Sequence, residues 1–251
     1  MLEKFVNDKP IFTADSFIEK IENCPKIAVG FFSQVMEDTF VKLFNPKIFT
    51  KMKCSGEFNI YEITYNGQRI LFYRSSLGSP ATICIMEELV CMGVENFLMS
   101  GTCGVLTDLP DYALIIPNKA IRDEGTSYHY AEPSDYVEVD AKIVDRIKRY
   151  LLQNSVRFVE GTVWTTDALY RETAKKVEAR KRMGAIAVDM ECSAMATFAK
   201  CKGVDFGQIL YGADVVIQGQ HDLRSLLKGN SSAEERIIKL VLDCATKIFE
   251  K

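Results

Sequence analysis

The chain is short of several residues and patterns from which a function is usually read. It has only two histidines, His129 and His221, in 251 residues, so a histidine-based triad or multi-histidine metal cluster has little to draw on. There is no Cys-x-x-Cys pair. The eight cysteines, Cys24, Cys54, Cys84, Cys91, Cys103, Cys192, Cys201 and Cys244, are scattered singly, with no nearby histidine to complete a zinc site. Several lie in apolar runs such as CIMEELVCMGV and DMECSAMATFA, where a thiol behaves as a small hydrophobe, so reduced core thiols are expected. Positive charge is not in excess: 31 Lys and Arg face 34 Asp and Glu, a formal net charge of -3. With no run of basic and aromatic residues either, binding to a nucleic-acid polymer is not expected. No apolar run approaches a membrane span. The opening MLEKFVNDKPIF carries charges where an export signal needs its apolar stretch. Neither GxGxxG nor the P-loop pattern occurs. These absences point to a cytoplasmic chain without membrane contact, and a hydrophobic fraction of 47% suffices for one large core.

What the chain does have is an alternation of strand-like and helix-like segments, the pattern of an α/β fold. Strands are expected at 26–32, 58–65, 69–73, 96–100, 112–117, 158–164, 185–188 and 206–211. Helices are expected at 35–44, 81–92, 139–153 and 191–202, with a last one opened by a capping box at Ser232-x-x-Glu235 and running to Phe249. Asn66-Gly67 between two strands signals a tight hairpin. No linker, charge block or repeat interrupts the pattern, so residues 1–251 read as a single domain with a mixed sheet and outer helices.

The segments able to carry chemistry fall where strands are expected to end, which is where ligands bind in open α/β sheets. SGTCG (100–104) reads as a small-residue turn in which Gly101 and Gly104 admit close backbone approach and Thr102 can bond an anion. A tight turn alone explains it equally well. VDMEC (188–192) puts two carboxylates before an apolar helix. They can cap that helix, or they can accept hydrogen bonds from vicinal sugar hydroxyls with Met190 against the sugar. Asp214 follows FGQILYGA, and burial there would raise its pKa and suit it to a general acid; a turn cap is the plainer alternative. RDEGTSYHY (122–130) suits a loop over a site. WTTDALYRET (164–173) brings Trp164 and Arg171 to a loop that could hold a flat ring.

Taken in order, SLGSP, GTCG, EGTSYHY, TTDALY, VDMEC and GAD resemble the nucleoside phosphorylase family, which includes uridine phosphorylases and methylthioadenosine nucleosidases. The likeness runs from Ile27 to the last helix. It implies a central mixed sheet partly closed into a barrel and surrounded by helices, with no metal or organic cofactor and inorganic phosphate as co-substrate. It also implies a homodimer or a hexamer built from dimers. By the same resemblance Glu191 matches the glutamate on the ribose hydroxyls, Met190 the methionine on the sugar, and Asp189 the acidic residue before them. Asp214 matches the aspartate at a purine's N7. Leu169 falls where relatives place a ring-stacking Phe, and Val188 falls beside the base. Thr102 matches a phosphate ligand, with Gly30 in the first phosphate loop. The chain departs from the family at that loop, where Gly30-Phe31-Phe32-Ser33-Gln34 stands for Gly-Asp-Pro and a following Arg, and again at Met99, where relatives carry Arg. Arg74, Arg122 and Arg171 are the cations that could stand in. Phosphorolysis, hydrolysis and nucleoside binding without turnover all stay open; a purine substrate is expected from Asp214, with uridine the alternative that EGTSYHY and Arg171 leave open.

Overall fold

Ile27–Phe31, five consecutive buried residues, forms β1, as suits a strand covered on both faces. The structure is a computed structural model that describes residues 5–6, 8–52, 57–109, 114–217, 220–222 and 231–250, of which 213–217, 220–222 and 231–232 are described by backbone alone. After β1 come α1 (Gln34–Phe44), β2 (Lys47–Met52), β3 (Phe58–Tyr65) and β4 (Gln68–Arg74). Asn66 and Gly67 close the β3–β4 hairpin with φ of 49° and 77°, the backbone that a two-residue turn requires. Then follow α2 (Ser79–Met92), β5 (Asn96–Val105), β6 (Leu114–Asp123), β7 (Tyr136–Glu138) and α3 (Ala141–Gln153). The chain continues through β8 (Phe158–Thr166), α4 (Ala174–Arg182), β9 (Ala185–Asp189) and α5 (Cys192–Lys202). It finishes with β10 (Asp205–Ile217), β11 (Gln220–Asp222) and α6 (Ser231–Ile248).

The strands form one mixed sheet in the order β11-β10-β6-β8-β9-β5-β1-β4-β3-β2, with β7 on β6 and a further β10–β5 pairing. That extra pairing closes β10, β6, β8, β9 and β5 into a five-stranded barrel, the partial closure expected. β5 is the seam: β10 pairs along one edge, while the other edge takes β1 over 96–100 and β9 at Gly104 and Val105.

Closure accounts for the strands that run longer than expected. SGTCG is not a turn but the second half of β5, because β10 pairs along it while β1 and β9 take the two ends of its other edge. β6 continues past Pro117 to Asp123, with a register shift between Pro117 and Lys119 against β8, which accommodates a residue that cannot donate to a ladder. β10 passes Tyr211 to Ile217, shifting register between Gly212 and Asp214. Four elements were not expected at all: β2, β7, β11 and α4, the last with Val177 as its buried residue and hence no apolar stripe to read. α6 begins at Ser231, one residue before the expected cap; the side chains of Ser231 and Ser232 lie outside the described residues.

Most apolar side chains join one core that packs α1, α2, α3, α5 and α6 onto the sheet. Gly207 lets α3 approach closely, since a Cβ there would meet Ile147 at 2.7 Å and Ile143 at 2.8 Å. A second, smaller core under α4 gathers Leu106, Ile121, Trp164, Val177, Ala185 and Val188. Among the described residues the seven cysteines are free thiols, and no helix is long and apolar enough to cross a membrane.

Candidate active site

β9 ends in Asp189, in register with Thr165 of β8, and the chain turns at Met190-Glu191 into α5. The turn is buried, with Asp189 and Glu191 each about 5% exposed, so both carboxylates need partners. Asp189 Oδ1 accepts the Thr165 hydroxyl at 2.7 Å and Oδ2 accepts the Cys192 amide at 2.7 Å. Longer contacts of 3.4 Å come from the Glu191 amide and Gln208 Nε2. Glu191 Oε1 reaches across to the β4–α2 loop and accepts the Gly78 amide at 2.6 Å, while Ser79 Oγ donates to the Met190 carbonyl at 2.7 Å. SLGSP therefore docks onto VDMEC.

Burial pushes the carboxyl pKa of Asp189 upward, against the pull of its four donors. Glu191 is pushed up by burial and then by the neighbouring Asp189 charge, with backbone amides of Gly78 and Met190 opposing. Having the poorer donor set, Glu191 is the member of the pair that keeps a proton more readily. Burial and the two carboxylates drive the Cys192 thiol well up, leaving it an inert core group.

Three loops meet around this turn. Gly125 of the β6–β7 loop donates its amide to Asp167 Oδ2 at 2.8 Å, and burial raises the Asp167 pKa. Leu169 and Arg171 open and close a short 3-10 turn after β8; Leu169 is 46% exposed and Tyr170 beside it 96%, so an apolar rim stands free here. Leu77, next to Gly78, is 64% exposed. The backbone of Asp214 pairs with Gly104, which pairs with Val188 on its other side. Asp214 thus lies two strands from Val188, about 10 Å at sheet spacing. It stands within β10 rather than at a strand end, and its side chain lies outside the described residues.

Four expected binding residues are buried or paired within the fold. Trp164 is fully buried in the smaller core, and its Nε1 donates to Asp123 at 2.9 Å beneath Lys176 and Arg180; its ring presents no face to a base. Val188, 4% exposed, belongs to the same core. Gly30 is buried and paired on both edges, and a Cβ there would meet Met99 Sδ and Cε at 2.6 Å and Tyr73 Cζ at 2.8 Å. The space beside this glycine is filled by side chains instead of being open to an anion. Phe32 covers Gly101 in the same way, at 2.8 Å. Arg74 gives its Nε to Glu37 at 2.7 Å and lies over the Phe58 ring, so its charge is balanced within the fold. Arg122 is also committed, to Ser127, Ser134 and the Glu132 carbonyl, and to the Tyr128 face. Thr102 is exposed on β5 and Arg171 on its turn. Among the described residues no group of three or more His, Cys, Asp or Glu is arranged to hold a metal.

Sequence reasoning assigned no role to Gly78, Thr165, Ser193, Glu124 or Gln208. SLGSP and the doubled threonine of TTDALY were visible as motifs, but their partners come from other strands. Gln208 lies inside an apolar run and carried no signal.

The barrel agrees with comparison to known proteins. The sequence pattern of the phosphorylase superfamily matches residues 29–246, and the chain belongs to that family. It is 27% identical over 201 residues to a guanosine phosphorylase of Halorubrum lacusprofundi, covering 76% of this chain and 82% of the relative. A DeoD-type purine nucleoside phosphorylase of Caldanaerobacter subterraneus is 26% identical over 205 residues, covering 77% and 84%. In structure, the purine nucleoside phosphorylase of Toxoplasma gondii in complex with immucillin-H superposes with a TM-score of 0.74 at 17% identity, covering 94% of each chain. A uridine phosphorylase of Vibrio fischeri gives 0.72 at 20%, covering 93% of this chain and 96% of that one. The nucleoside phosphorylase class and its α/β fold follow; identities at this level leave the substrate open.

Proposed function

We propose that this cytoplasmic enzyme cleaves the N-glycosidic bond of a ribonucleoside, preferably a purine one, with inorganic phosphate as acceptor and no other cofactor. Free base and ribose-1-phosphate are the products. The observation that carries the reading is the buried Asp189–Glu191 turn held against Gly78. Glu191 accepts the ribose hydroxyls with Met190 against the sugar, Asp189 anchors the turn, and Asp214 protonates or hydrogen-bonds the leaving base. Leu169 and Arg171 line the base side, and Thr102 serves the acceptor. Fixing the sugar and stabilising the departing base are what a transition state of oxocarbenium character requires. The chain works as a homodimer or a hexamer of dimers, on the family's pattern.

A second reading, with water as acceptor, is favoured by one observation: Met99, Tyr73 and Phe32 fill the faces of Gly30 and Gly101. A phosphate dianion needs charge-assisted donors, and these side chains supply none. Turnover of inosine, adenosine and uridine with and without phosphate separates the readings. Strict phosphate dependence with ribose-1-phosphate supports the first, and equal turnover in water replaces it with the second. Heat stabilisation by nucleosides without any turnover would leave a binding role alone.

A further inference from the structure

Buried hydrogen bonds lead away from the turn residue by residue, with Ser193 and Ser127 each joined through the amide on one side and the hydroxyl on the other. The Ser193 amide, an orphan donor in the first turn of α5, donates to Thr165 Oγ1 at 3.0 Å. The Thr165 hydroxyl thereby spends a lone pair and gives its proton to Asp189. The Ser193 hydroxyl donates to Glu124 Oε1 at 2.8 Å, and Glu124 Oε2 accepts the Ser127 amide at 2.8 Å. Arg122 Nε closes the chain on Ser127 Oγ at 2.8 Å. Thr165, Ser193 and Ser127 are fully buried, and Glu124 is 4% exposed.

Glu124 is the informative member. Capping α5 needs Asp189 and Thr165 but not a buried carboxylate on another loop, which costs free energy unless its bonds are specifically useful. Glu124 is bound by the neutral donors Ser193 Oγ and Ser127 N, while Arg122, with which it interacts through charge, bonds the Ser127 hydroxyl.

Resting on the ribose-gripping role proposed above, we infer that Thr165, Ser193 and Glu124 are positioning residues that fix Asp189, and with it the Met190–Glu191 backbone, relative to the β6–β7 loop. They touch no reacting atom. Loosening the chain lets the turn rotate off the Gly78 loop, so the sugar hydroxyls find Glu191 misplaced. The groups facing Asp189 besides the relay are Glu191, Cys192 and Gln208. Gln208 Oε1 is buried without a partner among the described residues, so that amide supplies little restraint.

The test uses the full-length protein with Thr165→Val, Thr165→Ser, Glu124→Ala and the Thr165→Val/Glu124→Ala double variant. Thr165→Val raises the KM for inosine about tenfold, the worth of one bond to a charged group, with a smaller change in kcat. Thr165→Ser restores it. Glu124→Ala acts in the same direction, and the double variant loses less than the product of the single losses. A second readout needs no turnover: the 13C titration of the Asp189 carboxyl, assigned with Asp189→Asn. Thr165→Val moves its midpoint up, because the ionised form loses a donor. Glu124→Ala moves it up through the relay, whereas loss of a nearby negative charge alone would move it down. A downward or absent shift in Glu124→Ala, or variants that lose only thermal stability, overturns the relay. Wild-type protein that cleaves no nucleoside defeats the function reading instead, and the titration still decides the relay.

Discussion

Glu191 is placed where its charge is disfavoured, and this has a consequence for stability. Its folded pKa lies above the ordinary 4.5, so between 4.5 and the raised value the native state holds a proton that the unfolded chain releases. Stability from this group is full below pH 4.5 and is lost as pH rises through the folded pKa, with a slope of up to about 1.4 kcal/mol per unit. Glu191→Gln should therefore flatten the alkaline side of the unreacted protein's stability curve, adding about 1–2 kcal/mol at pH 8. The same variant should weaken nucleoside cleavage; denaturant titrations at pH 5 and 8 with steady-state assays check both. A wild-type curve that is flat from pH 5 to 8 would contradict the burial argument. For Asp214→Asn we expect purine cleavage to fall about 10²- to 10⁴-fold, the usual worth of a general acid, with an unchanged circular dichroism spectrum. Unaltered activity would remove the acid assignment. Of these residues, Asp189, Met190 and Glu191 were legible as a cluster in the sequence. Thr165 was not, because its role depends on β8 and β9 lying side by side.

At the level of elements, periodicity located what carries an apolar pattern and missed what does not. The Asn66-Gly67 hairpin, α2, α3 and α5 are legible because turn chemistry or an apolar face specifies them. α4, sequence AKKVEARKR, has one buried side chain, and its place is fixed by salt bridges from Lys176 and Arg180 to Asp123, which no local pattern announces. SGTCG shows the opposite error: its glycines read as a turn, yet Gly101 thins a strand so that the Phe32 side chain fits. Gly30→Ala, in the adjoining strand, should accordingly cost about 1–3 kcal/mol through overpacking against Met99 and Tyr73. In the Met99→Ala background the same change should cost much less. Thermal melts of the two single variants and the double variant test the coupling, and additive losses would mean that Met99 does not fill the glycine's face. Asp140, whose side chain accepts the Lys142 amide at the start of α3 at 2.8 Å, gives a simpler case: Asp140→Ala should cost about 1 kcal/mol.

At the scale of the whole molecule, the barrel was legible only through the family resemblance, since closure depends on β10 pairing with both β5 and β6 and no local pattern encodes that. Assembly is a question of the same scale. Leu77 and the Leu169–Tyr170 pair stand exposed on the two loops that flank the Asp189–Glu191 turn, and Ile11, Phe12 and Phe17 stand exposed in the N-terminal segment. Exposed apolar side chains cost little singly, but several near one mouth suit burial against a second copy. If the chain forms the proposed dimer or hexamer of dimers, sedimentation velocity at micromolar concentration should give two or six times the 28.3 kDa chain mass. The melting temperature should then rise with protein concentration, as mass action requires of a folded oligomer in equilibrium with unfolded monomers. Leu77→Asp and Tyr170→Asp separate assembly through the mouth from assembly elsewhere. Loss of the oligomer with either would put the interface beside Glu191 and make the site's closure depend on the partner. An oligomer unaffected by both would leave the mouth free and move the interface to the N-terminal segment or another face. A monomer at all concentrations would mean that this chain completes its site alone, with Leu77 and Tyr170 free to meet the substrate.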